Sequence, residues 1–375
     1  MSLGKGLYSF REKSATRFCS FALELVPASS CQLRCENCYK VKLGSSRPRE
    51  AMPLSFAAGA LDQAAAAGFS EAAFIGGEPT LHPDLPALMR HALARGLEPI
   101  LCTNGIRLVD PGYADTVAIP GATLVMHAPL PERLAELHDQ HVSRTGYNRL
   151  LRRAFDNVAG RDQVTVVAEL VLLEKFLSAA EEVLNWCRAR GMKPLLEMNR
   201  RHDPGVAYAG SASPEAVGAL FDRLRSSSAE QLVLAPPAYG IPCTMSISGL
   251  HVKNHGGGDW GGIYSCCAQH IRHGDLRVES LAEVLARPSL RVFQDQDRWI
   301  HGPCRDCELY TTCRGGCRGE SFLAFGCPRA SCPSCWRIPA EVRVDAARMV
   351  PASCASCPLE QHPGCSLRDK TRALE

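Results

Sequence analysis

Six short apolar runs, alternating with stretches of helical periodicity, fill the first two-thirds of this 375-residue chain and leave few folds open to it. Phe18 to Val26, Ala72 to Ile75, Pro99 to Cys102, Thr123 to Met126, Val164 to Leu172 and Leu195 to Met198 read as strands. Between them, Ser55 is placed to cap an alanine-rich helix that stops near Gly68, and a second helix after Pro86 stops near Gly96. Ser178 and Glu181 form an S-x-x-E capping box for a helix that ends near Gly191. Six repeats of strand then helix predict a parallel sheet, open or curled, with helices outside. Ligands of such sheets gather at the C-terminal ends of the strands.

The composition changes near residue 235, where Ala-Pro-Pro interrupts the alternation and cysteine, glycine and proline become dense. One helix stands out beyond it, from Ser280, capped with Glu283, to Ala286; the rest is expected as loops organised by metal. The expected division is a tail (1–16), a barrel unit (17–235), a cysteine-rich unit (236–340) and a cysteine-containing tail (341–375).

No run of about eighteen apolar residues occurs, so no spanning helix is expected. Arg11, Glu12 and Lys13 interrupt any signal core at the N-terminus, which makes the cytoplasm the default location. A net charge of +3 is too small to argue for a nucleic-acid or membrane partner. Nineteen cysteines are then the anomaly. In a cytosolic chain of this size clustered cysteines more often bind metal than pair as disulfides, and an odd count leaves at least one out of any all-disulfide scheme.

Cys31-Gln-Leu-Arg-Cys35-Glu-Asn-Cys38 directly follows the first strand. Thiolates are soft ligands suited to iron–sulfur clusters, and a short loop can wrap several around one cube. Three close cysteines with no local fourth leave one iron open, whereas a structural zinc site closes its shell with four protein ligands. The loop resembles that of the radical S-adenosylmethionine (SAM) superfamily, C-x3-C-x2-C after the first strand of a partial (β/α)6 barrel. Gly76-Gly77-Glu78-Pro79, ending the second strand, resembles that family's G-G-E-P motif, and Thr103-Asn104 ends the third strand as the family's polar turn does.

The resemblance implies a [4Fe–4S] cluster on Cys31, Cys35 and Cys38, with the open iron chelating the methionine end of SAM. It implies a SAM site at Gly76, Gly77, Glu78, Pro79, Thr103 and Asn104. There glycines admit close backbone approach and a carboxylate faces an ammonium. Glu169, and beside it Glu197, is either a salt-bridged barrel carboxylate or a contact to SAM ribose or substrate. Asn37 stands where the family usually has an aromatic residue beside adenine, so only its backbone is carried over.

Cys304-x2-Cys307-x5-Cys313-x3-Cys317, followed by Cys335, resembles the SPASM extension of sulfatase-maturating enzymes and peptide maturases, as does the run Gly315-Gly316-Cys317-Arg318-Gly319. The likeness runs over roughly residues 17 to 340. It implies two auxiliary [4Fe–4S] clusters, one on Cys304, Cys307, Cys313 and Cys335, the other on Cys243, Cys266 and Cys317, with Cys267 a rival to Cys266. Either Cys267 completes that second shell or a position stays open. Cys327, Cys332, Cys354, Cys357 and Cys365 form a further metal site or are free thiols, while Cys19, Cys102 and Cys187 are expected as ordinary buried residues.

Such a resemblance implies reductive cleavage of SAM to a 5′-deoxyadenosyl radical, hydrogen abstraction, and net oxidation or cross-linking of a substrate. The leading substrate is a residue in a peptide or protein; the alternative is a sugar, aminocyclitol or tetrapyrrole precursor. A non-enzymatic redox protein would leave Gly76 to Glu78 without a role. An electron donor such as flavodoxin or ferredoxin is expected. With about thirty residues before Cys31, a stand-alone protein is expected to supply any leader-peptide recognition. No residue stands out as a catalytic acid or base.

Overall fold

The computed structural model describes residues 19–27, 29–38, 50–199, 210–228, 248–267, 271–352 and 357–359. The expected strands all form: β1 (Ser20–Val26), β2 (Glu71–Gly76), β3 (Glu98–Thr103), β4 (Thr123–His127), β5 (Thr165–Leu172) and β6 (Lys193–Met198). They pair in parallel in the order 6-5-4-3-2-1. The sheet stays unclosed and continues beyond β1, so the architecture is a partial (β/α)6 barrel.

Helices α1 (Leu54–Ala66), α2 (Leu85–Ala94), α3 (Pro111–Val117), α4 (Ala135–Val142), α5 (Tyr147–Val158) and α6 (Ala180–Arg188) follow or separate these strands. Alternation along each strand sends one set of side chains to each face. Phe21, Leu23, Phe74, Leu101, Leu124 and Ala168 join the large core under the helices. Ala22, Ala73, Ile100, Val125, Val167 and Leu195, one per strand, pack into a small layer on the inner face.

Two capping expectations fail. Ser55 lies inside α1, whose N-cap is Pro53 with no side-chain bond, so proline at the boundary sets the start two residues earlier. Ser178 and Glu181 form no box, because Glu174–Ala179 is already coiled as a 3-10 segment and α6 grows out of it behind Ala179. A helix that inherits a preceding turn has no free first-turn donors for a serine to cap.

Beyond α7 (Pro214–Ser228), the expectation of loops and one helix is also corrected. Strand β7 (Leu250–Asn254) joins β1 in parallel, Phe21 opposite Leu250, and β8 (Trp260–Tyr264) and β9 (Arg272–Asp275) extend the sheet antiparallel. Their residues alternate apolar and polar over too few positions to register beside the glycine and cysteine that dominate the segment. Helix α8 (Leu281–Leu285) has the expected Ser280–Glu283 capping box, and α9 (Pro288–Gln294) follows. The cysteine-rich segment then folds as single turns around α10 (Arg318–Phe325). Among the described residues no helix is long and apolar enough to cross a membrane.

Candidate active site

Two residues beyond the inner layer, at the C-terminal mouth of the sheet, the same face carries Glu24, Ile75, Cys102, His127, Glu169 and Glu197. This is period-two spacing taken one step up each strand. His127 and Glu169 are register partners on β4 and β5. The three-cysteine loop closes this mouth.

Its underside is apolar: Leu33, between Cys31 and Cys35, is buried against Val142, Tyr147 and Leu151. Its backbone hangs on the end of α4 through Arg34 N–H to Val142 O (3.1 Å) and Glu36 N–H to His141 O (3.0 Å). Lys175 pairs with Glu36 at 2.7 Å from the far side.

The G-G-E segment holds the loop from below. Gly77 and Glu78 donate their backbone N–H groups to Val26 O and Ser30 O, at 3.1 and 2.8 Å. A Cβ on Gly77 would lie 2.4 Å from Ser30 O and 2.5 Å from Pro27 O, so only glycine admits this approach. Glu78 is buried, and its carboxylate accepts from Thr80 N–H (3.1 Å), Thr80 hydroxyl (2.7 Å), Thr103 hydroxyl (2.6 Å) and Asn104 N–H (2.8 Å). Three of these bonds fall on Oε1 and one on Oε2, so Oε2 keeps a lone pair for a further donor. Burial pushes its pKa up, opposed by these bonds. Glu78 therefore joins the ends of β2 and β3 into one frame, with Pro79 opening the 3-10 turn behind it.

Asn104 carries that frame to the sulfur. Its side-chain amide reaches Gln32 Oε1 at 3.1 Å and Cys31 Sγ at 3.8 Å, its Oδ1 accepts from Ile106 N–H, and its carbonyl accepts from the buried Tyr147 hydroxyl at 2.9 Å. Gly105, at φ +77°, turns the chain away behind it.

The chemistry of the donor set fits an iron–sulfur cluster. Cys31 Sγ accepts from Leu33 N–H (3.5 Å) and from Asn104, the contacts that stabilise a thiolate. The three sulfurs feel one another: Cys38 and Cys31 both raise the Cys35 thiol, although burial is the larger cause. A bound metal reverses that preference. Among the described residues no group of three or more Cys, His, Asp or Glu converges closely enough to hold a single ion. A cube of iron and sulfide is wider than an ion, and its ligands need not converge so far.

Beside Cys35 and Asn37 a pocket opens toward His127, Glu169, His138 and His141, with Leu130 and Phe176 as apolar wall. Glu169 keeps about a quarter of its side chain open to it, and burial on the other sides pushes its pKa to about 7. His127 Nδ1 stands 3.8 Å away, too far for a hydrogen bond. His138 and His141 are held neutral, their pKa values lowered by burial to about 4. His141 Nε2 contacts Asn37 Oδ1 at 2.9 Å, and the Asn37 amide reaches Asn199 Oδ1 at 3.3 Å. Asn37 thus props the loop with its side chain, where the resemblance carried over its backbone alone. Sequence reasoning missed His127, Leu33 and Tyr147; the spacing of His127 from Val125 was the available signal.

In the C-terminal segment Cys304, Cys307, Cys313 and Cys335 are brought together. Burial raises Cys313 to about 12, with Cys304 and Cys335 next as causes, and Cys335 is raised by burial and by Cys304 and Cys307. Cys266 and Cys317 are buried, and Cys267 lies beside Cys102, which is half-buried in the polar mouth layer and raised by burial, Glu169, Glu78 and Cys267. Cys19 and Cys187 are buried as expected, and Cys327, Cys332 and Cys357 are buried too. Cys243, Cys354 and Cys365 lie outside the described residues.

Barrel, loop and carboxylate frame are the arrangement that the sequence resemblance implies: the chain is similar in fold and motifs to radical SAM enzymes with a SPASM-type cysteine-rich C-terminal region. Among curated relatives it is similar to a PqqA peptide cyclase from Streptomyces rochei, 26% identical over 337 residues, 76% of this chain and 81% of the relative. Among solved structures it is similar to Streptococcus suis SuiB bound to its precursor peptide SuiA. That likeness has a TM-score of 0.62 at 14% identity and covers 82% of this chain and 73% of SuiB. It is also similar to anSMEcpe with bound AdoMet and a Cp18Cys peptide, with a TM-score of 0.60 at 16% identity, covering 81% and 90%. At these identities the structural likenesses speak for the fold. No family model matches.

Proposed function

We propose that Cys31, Cys35 and Cys38 hold a [4Fe–4S] cluster with one iron left to SAM, and that the enzyme oxidises or cross-links a residue in a peptide or protein. The observation that carries this reading is the three-cysteine loop held at the mouth of a parallel sheet, its first sulfur met by amide donors from Leu33 and Asn104. When bound, the cluster and SAM supply a 5′-deoxyadenosyl radical. The chain's own work is placement. Gly76, Gly77, Glu78, Pro79, Thr103 and Asn104 set the frame of the SAM site, Asn37 and His141 fix its rim, and Glu169 with His127 offers polar contacts in the adjoining pocket to SAM ribose or substrate. The apolar wall of that pocket excludes water from the reacting bond.

The reading extends to the C-terminal unit (236–340), where Cys304, Cys307, Cys313 and Cys335 hold one auxiliary cluster and Cys243, Cys266 and Cys317, with Cys267 as rival, hold a second. The barrel unit is 17–235, with tails at 1–16 and 341–375. A flavodoxin or ferredoxin is the proposed electron donor, and a stand-alone leader-binding protein the proposed escort of the peptide. The peptide assignment draws on the names of the cyclase and of SuiB with its precursor.

Changing Cys31, Cys35 and Cys38 together to Ala is expected to abolish 5′-deoxyadenosine formation under dithionite while iron bound farther along the chain persists. Normal SAM cleavage by the triple variant would overturn the proposal. Co-expression with short peptides encoded beside the gene is expected to yield a peptide lighter by two hydrogen atoms. Turnover of a sugar or tetrapyrrole precursor instead would transfer the chemistry to small molecules.

A further inference from the structure

We propose that Arg318 is the buried counter-charge of the C-terminal cysteine site and sets the potential at which that site accepts an electron. This rests on the reading that Cys304, Cys307, Cys313 and Cys335 hold an iron–sulfur cluster. Arg318 is 1% exposed and heads the fully buried side chains by size. A guanidinium cannot lose its proton inside a protein, so a full positive charge is enclosed there. All its hydrogen bonds go to backbone carbonyls: Nε to Gly316 O (3.4 Å), Nη1 to Pro328 O (3.1 Å) and Ala330 O (2.6 Å), and Nη2 to Gly315 O. Among the described residues no carboxylate lies within ion-pair distance of it. Carbonyl dipoles alone compensate an enclosed charge poorly, and buried charges are ordinarily paired or beside metal centres.

The missing anion is what the cysteines become on binding a cluster. The Gly315 carbonyl accepts from Arg318 Nη2 and, in the metal-free thiol, from Cys304 S–H at 3.8 Å; ligation removes that proton and leaves sulfur and guanidinium on either side of one carbonyl. Gly315, at φ +81°, keeps this approach: a Cβ there would meet Ile300 Cδ1 at 2.8 Å and Arg318 Nη2 at 3.1 Å. Four thiolates leave a cubane cluster net negative, and reduction adds one more negative charge. A fixed cation in a site of low dielectric stabilises the reduced state more than the oxidised one, which raises the potential. The carbonyl cage prevents the guanidinium from turning away, so the bias is built into the fold.

The test uses full-length protein reconstituted anaerobically, with the centre identified as the signal lost in Cys307→Ala. Potentiometric titration followed by electron paramagnetic resonance compares wild type, Arg318→Lys and Arg318→Gln, with iron counted in each. Glutamine is expected to shift the reduction equilibrium at least tenfold against the reduced state, about 59 mV more negative for a one-electron centre. Lysine, which keeps the charge, is expected to stay near wild type. If Gln blocks iron uptake and Lys restores it, the charge is needed for assembly and the proposal stands. Equal potentials for wild type and Gln at full iron, equal shifts in both variants, or equal iron loss in both would overturn it. Full iron and an unchanged signal in Cys307→Ala would instead overturn the cluster reading.

Discussion

The parallel half of the sheet and the segment beyond residue 295 hold cysteines in opposite ways. In the parallel half, six strands lie between a helical layer and an inner layer, and one continuous apolar core runs from Phe21 to Leu224 and on to β7. The cysteine loop is hung on that scaffold by Leu33, the Glu78 frame and the end of α4. Beyond residue 295 the helices span four to eight residues, too short to persist unaided. The core there breaks into two small groups, one around Phe293, Trp299 and Phe322 and one around Ile300, Phe325 and Met349, and cysteines are members of both. The first half presents its thiols; the second is built out of them. Metal should therefore be a cargo of the one and a structural member of the other.

Iron removal should break the symmetry most visibly. Stripping iron anaerobically with a chelator is expected to cut amide protection in 300–350 by more than ~100-fold, because cluster binding there is folding free energy. Strands β2 to β5 should keep theirs, read by hydrogen exchange. Equal loss in both halves would abolish the distinction. Cys307→Ala should mimic the chelator in the C-terminal segment, whereas Cys35→Ala should leave the exchange pattern intact.

A smaller effect sharpens the account of the parallel half. Glu78→Ala leaves four donors without their acceptor, and removing a buried, hydrogen-bonded carboxylate is expected to cost about 3–5 kcal/mol. Urea denaturation of the iron-free protein measures this. SAM affinity of the reconstituted variant should fall with iron on the core loop retained. Unchanged stability would mean that the frame is not what holds the mouth.

The smallest effect concerns the pocket. Burial raises Glu169 from 4.5 to about 7, so the folded protein binds its proton more tightly than the unfolded chain does. Its contribution to stability is full below about pH 4.5 and is lost as the pH rises through about 7. Glu169→Gln should match wild type near pH 4.5 and exceed it by at most roughly 3 kcal/mol at pH 8. Parallel denaturation curves at the two pH values check this, and a constant difference would place the carboxylate in water.

Period and punctuation made the parallel half legible. Gly68, Gly96 and Gly191 each sit at positive φ where a helix was expected to stop, and every strand boundary fell within two residues. Strands β7 to β9 were not legible, because their support comes from β1, far away in sequence, rather than from their own pattern. Ser55 and Ser178 misled because a cap depends on the turn before it, which serine and glutamate spacing does not encode. In the site, the cysteines and Glu78 were visible as motifs. The use of Glu78 as a clamp was not, since its donors come from the turn after β2, the last residue of β3 and the residue that follows it. Arg318 stood within a quoted run, but its isolation from every described carboxylate exists only in three dimensions.

The pairing of β1 with β7 has a consequence for the order of events during synthesis. The Glu24 carboxylate meets the backbone of Asn254, a partner 230 residues farther along the chain. At the usual pace of translation, that partner emerges roughly 10–50 s after β1. For that interval the strand that carries the cysteine loop is paired with β2 on one side only, and its other edge waits for the last parallel strand. A nascent chain halted before residue 250 thus presents an open edge directly beneath its three-cysteine loop, and completion of the sheet is the step that covers it.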